Sequence, residues 1–581
     1  MKKLLLTFVA IVALFAFAAC GGTTTTGGGT TTQAPAAPVV LNWNIGADPL
    51  TLDPGLNGAS DGGDVINNTF EGLVREKDGE IFPGMAESWE VSSDGLTVTF
   101  NIREDAKWSD GSKLDADDFV RSWLRGMDPR NASEYSWIWE YTNVVGADDF
   151  VFASTTVDSE LDALADAVGI ESQDDGATFV VHLVAPTNWF VSLMAFYHFM
   201  PVPETASTTG TGAWAKNPTT AISNGPFKLT AYTVGDRLKL EKNEHYWNAD
   251  EVGIDVINGF FIDISTTAYA RYEAGELDVL PSVPSAMIPG LLVASQEFYV
   301  FPLLGTYYIN FNLSGNPEIG GSRDVGSRDL SIFYNVNLRY ALALSLDREA
   351  IVEALGTGAV PAGGFISPGF MDHNGEDFFE NTAEDSEIVT DDGAYALAVT
   401  YFATAANELF PEASDPVAAL RAALASKTYL YNTSDGHRQV GELVQAMWED
   451  NLGFRIQLGN EEWATFQGTR TDGAYDISRG GWLTDFMDPS GMIGIFTQGN
   501  AYNDPDYNNP AFEAALEAAR TATTAQAHFE ALYEAHAIFM GDMPIIPIYH
   551  YNDVFLIKAK VQGWSRSVLG SIDFSTAYIQ Q

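Results

Sequence analysis

The chain has a single cysteine, Cys20, in 581 residues. No internal disulfide can form, so the fold rests on its core alone. Positive charge is also scarce: 30 Lys and Arg stand against 78 Asp and Glu, giving a formal net charge of −48. Nucleic acid binding needs cationic patches, and this imbalance argues against it. The same field can steer cationic ligands inward, although acidity also serves solubility. After the N-terminal apolar run, no segment has the length and apolarity of a membrane-spanning helix. Enzyme signatures are missing as well. There is no Gly-x-Ser-x-Gly elbow, no His-Glu-x-x-His zinc helix and no Walker loop. His528 and His536 lie eight apart on an apparent helix without a matching third ligand. No catalytic residue, metal site or cofactor is therefore expected, and a hydrolase is the disfavoured alternative.

What is present begins with an export signal. Lys2 and Lys3 precede an apolar run from Leu4 to Phe17, too short for a comfortable permanent anchor. Ala18-Ala19-Cys20 follows and resembles a bacterial lipoprotein processing site, with Phe17 where that pattern usually has Leu. The resemblance implies removal of the signal peptide (1–20) up to a lipidated Cys20. The alternative is an ordinary secretory signal with Cys20 incidental. Residues 21–38 are Gly, Thr, Ala and Pro plus Gln33. Such a segment cannot bury enough surface to offset its ordering entropy and is expected to be a flexible tether. The expected location is outside the cytoplasm, lipid-anchored at the cell membrane, in a periplasm or on the outer face.

The remaining length exceeds a single core and suggests two to four domains. Patterning is mixed α/β throughout. Trp89–Arg103 alternates as a strand pair around Ser93-Asp94-Gly95, and Leu114–Phe119 opens a helix with acids in its first turn. Thr178–Val184 and Phe227–Glu241 read as strands. Asn337–Leu346 and Arg348–Leu355 read as helices, the second capped by Asp347 and stopped by Gly356. Val440, Leu443, Val444, Met447, Trp448 and Leu452 form one face of a helix over 437–451 that Gly453 ends. Phe454, Ile456 and Leu458 then alternate as a strand. Strand, helix, strand within about thirty residues predicts a βαβ unit with parallel strands, whose ligands bind beyond the carboxyl ends.

The chemistry concentrates around that helix. Residues 429–489 gather Trp463, Arg470, Arg479, Trp482 and Asp485 on short segments. A carboxylate, two guanidiniums and two indoles suit a zwitterion with apolar side chains, and a peptide is such a molecule. Motifs in order along the chain carry a wider resemblance. They include Leu50-Thr51-Leu52-Asp53-Pro54, Phe70-Glu71-Gly72-Leu73, Pro83–Trp89, Ala106–Gly111, Asn224-Gly225-Pro226-Phe227, Tyr246-Trp247, Gly275–Asp278 and Gly480–Asp485. With these the chain resembles the family 5 extracellular solute-binding proteins, the class that feeds peptides to ABC importers.

The resemblance implies a periplasmic-binding-protein-like fold (class II, cluster C type): two lobes, a hinge and an inserted domain. Domain I would comprise 39–75, 200–303 and 548–581; domain II, 76–199; and domain III, 304–547. Hinge segments are expected near Leu304–Phe311 and Pro544–Tyr551. Asp485 would pair with the ligand's α-ammonium. Gly480–Trp482 and Gly58, Ala59 and Ser60 would pair with its main chain as added strands. Trp463 and Trp482 would line side-chain pockets, with Tyr308 as a further contact. His437, Arg470 and Arg479 would neutralise peptide carboxylates. The acid that some relatives carry at position 58 is absent here. So is a lysine at position 356. The implied partners are an oligopeptide ligand and ABC permease subunits, with the binding protein itself a monomer. Dipeptides, nickel chelates and oligosaccharides remain alternative cargoes, and a surface sensor on the same fold an alternative role.

Overall fold

Two strands longer than their neighbours organise the chain, Phe298–Phe311 and Ile545–Ile557. In this computed structural model the described residues are 37–77, 79–206, 212–383 and 392–580. The signal segment 1–20 with Cys20, and the tether through residue 36, lie outside them. The long strands are rich in aromatic and β-branched residues, which favour a half-buried pleat. They pair antiparallel along most of their length, with register shifts between Pro302 and Thr306 and between Tyr307 and Tyr308.

An 11-stranded sheet grows outward from this pair. On one side, Ile477–Leu483 runs antiparallel to residues 305–311, followed by Thr428–Asn432 and Gln457–Glu461 in parallel. On the other side, Val279–Leu280 pairs with residues 556–557. Val40–Asn44 and Val256–Phe260 follow, and the hairpin Phe227–Thr233/Arg237–Lys242 closes that edge. The long strands thus serve two groups of strands at opposite ends, with a break in their own ladder between.

The βαβ unit forms as its periodicity predicts. Helix Asp435–Leu452 buries Val440, Val444, Trp448 and Leu452 and ends at Gly453, whose φ of +78° suits glycine. The Trp448 indole donates to the Leu342 carbonyl at 3.0 Å, tying this helix to Val336–Leu344. The strand after it starts at Gln457, later than the alternation from Phe454 suggests. Gln445 donates to the Ile456 carbonyl, so Phe454 and Ile456 are buried ahead of the ladder. Asp347 caps helix Arg348–Leu355 through the Ala350 amide at 2.8 Å, and Gly356 ends it at φ +66°.

A separate four-stranded antiparallel sheet lies within 76–199: Ala86–Val91, Thr97–Ile102, Thr178–His182 and Ile170–Gln173. Helix Ala116–Met127 covers it. Its Asp115/Asp118 capping box satisfies two orphan amides, while Phe119 and Trp123 pack on Phe179 at 5.8 and 4.8 Å. Among the described residues no helix is long and apolar enough to cross a membrane.

Candidate functional site

A cavity of about 500 Å³ opens between these elements. Gly58, Ala59, Ser60, Trp463, Arg470, Arg479, Gly481, Trp482 and Asp485 all line it. The pleat of Ile477–Leu483 sends successive side chains to opposite faces, so Arg479 and Gly481 share one face, while Trp482, of the same parity as Gly480, reaches the cavity near the strand's end. Gly481 faces the cavity side, where a Cβ would lie 2.3 Å from the Tyr551 hydroxyl. Gly480 faces the other way, where a Cβ would lie 2.2 Å from the Tyr308 ring. Both positions need glycine for close approach.

Asp485 is 5% exposed. Its Oδ1 accepts a hydrogen bond from the Tyr135 hydroxyl at 3.2 Å, and its buried Oδ2 has no partner. No basic side chain forms an ion pair with it among the described residues. Burial therefore pushes its carboxyl well above the usual range, with the Tyr135 bond pulling the other way. Tyr135 is itself driven far upward, by burial first and the Asp485 charge second, and remains a donor. Trp482 also lines the cavity. Its indole donates to the Gly491 carbonyl at 2.8 Å, and its ring packs on Tyr502 at 4.9 Å and Trp137 at 6.0 Å.

The cations differ from one another. Arg479 has no carboxylate partner among the described residues and lies near the rings of Tyr307 (5.5 Å) and Trp463 (6.0 Å). Arg470, on helix Trp463–Thr471, is held by Asp504 at 3.1 Å. Its charge is thus already met within the protein. His437 does not line the cavity; it packs 5.6 Å from the Tyr307 ring. Burial, and then the neighbouring Arg479, push its pKa far down, so it is neutral and unsuited to hold a carboxylate. Tyr308 is also off the cavity. It is buried against Phe365 and Phe496, on the core face it shares with Gly480. Tyr307, paired with Gly481, occupies the face that carries Arg479.

The missing acid at position 58 has a spatial counterpart. A Cβ on Gly58 would lie 2.5 Å from Glu134 Oε2, so glycine makes room for a carboxylate from another segment. Tyr135, Tyr197, Tyr502, Tyr551, Asp61 and Asp64 also line the cavity. Sequence reasoning passed over them as site residues. Asp61 reads as a first-turn acid that complements the helix dipole, and the tyrosines are far in sequence from the 429–489 stretch.

Residues 80–504 match the family described as bacterial extracellular solute-binding proteins, family 5 Middle. The chain belongs to that family. The oligopeptide-binding protein OppA of Bacillus subtilis is 33% identical over 97% of this chain and 96% of its own length. Among solved structures, Haemophilus influenzae OppA in complex with RPPGFSPFR superposes with a TM-score of 0.80 at 29% identity, covering 94% of this chain and 100% of that one. The Escherichia coli murein tripeptide-binding protein MppA gives 0.80 at 30% identity, covering 94% and 99%. An unliganded open form of MppA gives only 0.61 at the same identity, over 94% and 98%. The fold is that of the periplasmic binding proteins, as the sequence predicts.

Proposed function

We propose that this protein captures oligopeptides outside the cytoplasm and delivers them to an ABC permease. The observation that carries the reading is Asp485. A buried carboxylate oxygen without a donor is unfavourable by several kcal/mol unless a cation meets it. An α-ammonium would supply both charge and hydrogen bonds. Arg479, on the preceding strand and without a carboxylate partner among the described residues, would meet the carboxylate end. Six residues of extended chain separate the two, at most about 20 Å. Roughly three to five extended peptide residues, with the reach of the arginine, bridge that span. Thr428–Asn432 pairs with Ile477–Leu483 only at residues 477 and 478, so the edge at 480–482 would offer main chain to the ligand, and recognition would rest on groups that every peptide shares. Sugars carry no terminal charges and leave Asp485 unmet.

Closure follows from the same charge. Tyr135, from 76–199, contributes to burying Asp485, from 304–547. Closing without a ligand would leave that carboxylate dehydrated and unpaired, which favours the open form. A peptide ammonium reverses the preference, giving the difference in affinity that closure requires. The better fit to the 0.80 structures than to the open MppA form supports a closed arrangement here. The register break at 302–306 is the proposed hinge between a lobe of 39–75, 200–303 and 548–581 and a lobe of 304–547, with 76–199 inserted. The protein would act as a monomer, without catalysis, anchored by a lipid on Cys20. Native mass spectrometry of co-purifying molecules tests the reading: a mixture of short peptides is expected, and a sugar or metal chelate as sole cargo would overturn it.

A further inference from the structure

A peptide's two termini do not cancel the charge in this cavity. Four arginines line it, and three are already met within the protein. Arg75 pairs with Glu71 at 3.2 Å and Asp573 at 3.4 Å, Arg470 with Asp504 at 3.1 Å, and Arg566 with Asp553. Arg479 is left for the ligand carboxylate and Asp485 for its ammonium. Of the other acids in the lining, Glu76 is engaged by the Ser567 hydroxyl and the Gly79 amide, whereas Asp61 and Asp64 have no ion pair among the described residues.

These two acids sit at i and i+3 on helix Ser60–Thr69 and so share a face. Dipole complementation accounts for an acid in the first turn, but Asp64 lies beyond it. Asp64 accepts one hydrogen bond, from the Ile572 amide at 3.1 Å, and faces Arg566, which Asp553 already binds. Burial raises the carboxyls of both Asp61 and Asp64, and Arg566 offsets this only in part at Asp64. The acidic pole adjoins the ammonium site. Tyr197 packs on this helix at Gly63, where a Cβ would lie 2.9 Å from its ring, and its ring lies 6.0 Å from that of Tyr135, which donates to Asp485. The buried, donorless Oδ2 of Asp485 independently marks this end of the cavity as a place where a ligand cation belongs.

We propose that the cavity selects peptides whose first residue carries a lysine or arginine side chain, with Asp61 and Asp64 receiving that second cation. The inference rests on the peptide reading of Asp485. The charged head would lie between two carboxylates while the aliphatic stem packs along the aromatic wall. The net charge of −48 would speed the encounter with such ligands.

Calorimetric titration of the ligand-stripped protein tests this with Lys-Ala-Ala, norleucine-Ala-Ala, Ala-Ala-Lys and Ala-Ala-Ala. Lys-Ala-Ala is expected to bind about tenfold or more tighter than its norleucine counterpart, the low end for coupled charges at an interface. Ala-Ala-Lys should gain nothing comparable over Ala-Ala-Ala. In the Asp61→Asn/Asp64→Asn double variant the lysine-to-norleucine ratio should fall towards one. A wild-type ratio near one with Ala-Ala-Ala still bound overturns this inference alone. So does an equal gain for Ala-Ala-Lys, or a ratio that survives in the double variant. Failure of every peptide to bind overturns the peptide reading and this inference together. The wild-type series needs no variant to fold.

Discussion

Replacing Asp485 by Asn keeps the shape and the bond from Tyr135 and removes the charge. If a peptide ammonium completes this site, the variant leaves that ammonium buried without its partner. Breaking a buried pair costs ~3–5 kcal/mol, roughly two to three and a half decades in affinity. The assay is calorimetric titration of ligand-stripped protein with a tripeptide and with its N-acetylated form, which lacks the ammonium. The two losses should not add, because both remove one interaction. Wild-type protein should lose affinity on acetylation, and the Asn variant should barely distinguish the two peptides. Equal affinity of the wild type for both forms, or unchanged affinity of the variant, would refute the assignment. The variant has a second expected effect. Closure without a ligand would no longer dehydrate an unpaired carboxylate. Small-angle scattering of the unliganded Asn variant should therefore show a more compact average than wild type.

The raised pKa of Asp485 sets a pH signature. Buried without a ligand, the group holds a proton well above the ordinary carboxylate range, so its folded pKa lies above its unfolded value. Its contribution to stability falls as pH rises through that raised value, the reverse of an ion-paired aspartate. Closure on an ammonium restores ionisation, so affinity should weaken as pH falls, and titrations in buffers of different ionisation enthalpy should reveal the linked proton. Arg479→Gln should weaken ordinary peptides but leave peptides with C-terminal amides nearly unaffected. Comparable losses for both would place the carboxylate elsewhere. Cys20→Ser should release the protein from the membrane fraction into a soluble one, as immunoblotting of the fractions would show. Retention would remove the lipid anchor.

The sequence carried the parts whose physics is local. The i, i+3, i+4 face from Val440 to Leu452, the glycine stops at 356 and 453 and the cap at Asp347 each depend on a few neighbouring residues, and each is present. The clustering of Trp463, Arg479, Gly481, Trp482 and Asp485 was legible because one strand and one helix carry most of it. What depends on long-range partners was not legible. Arg470 looks like a free cation until Asp504, 34 residues away, is placed beside it at 3.1 Å. His437 looks chargeable until burial beside Arg479 holds it neutral. Tyr308 and Tyr307 differ by one residue of pleat, so the strand's register alone sends one ring to the core and the other to the Arg479 face. Tyr135 and Tyr197 reach the cavity from the separate segment 76–199, and nothing in the 429–489 motif announces them.

A crystal structure with a bound tripeptide bears most directly on the central claim. The α-ammonium should lie about 2.7–2.9 Å from Asp485 Oδ2, the oxygen now without a donor. A peptide bound with its amino end elsewhere, and that oxygen still bare or bonded only to water, would contradict the account.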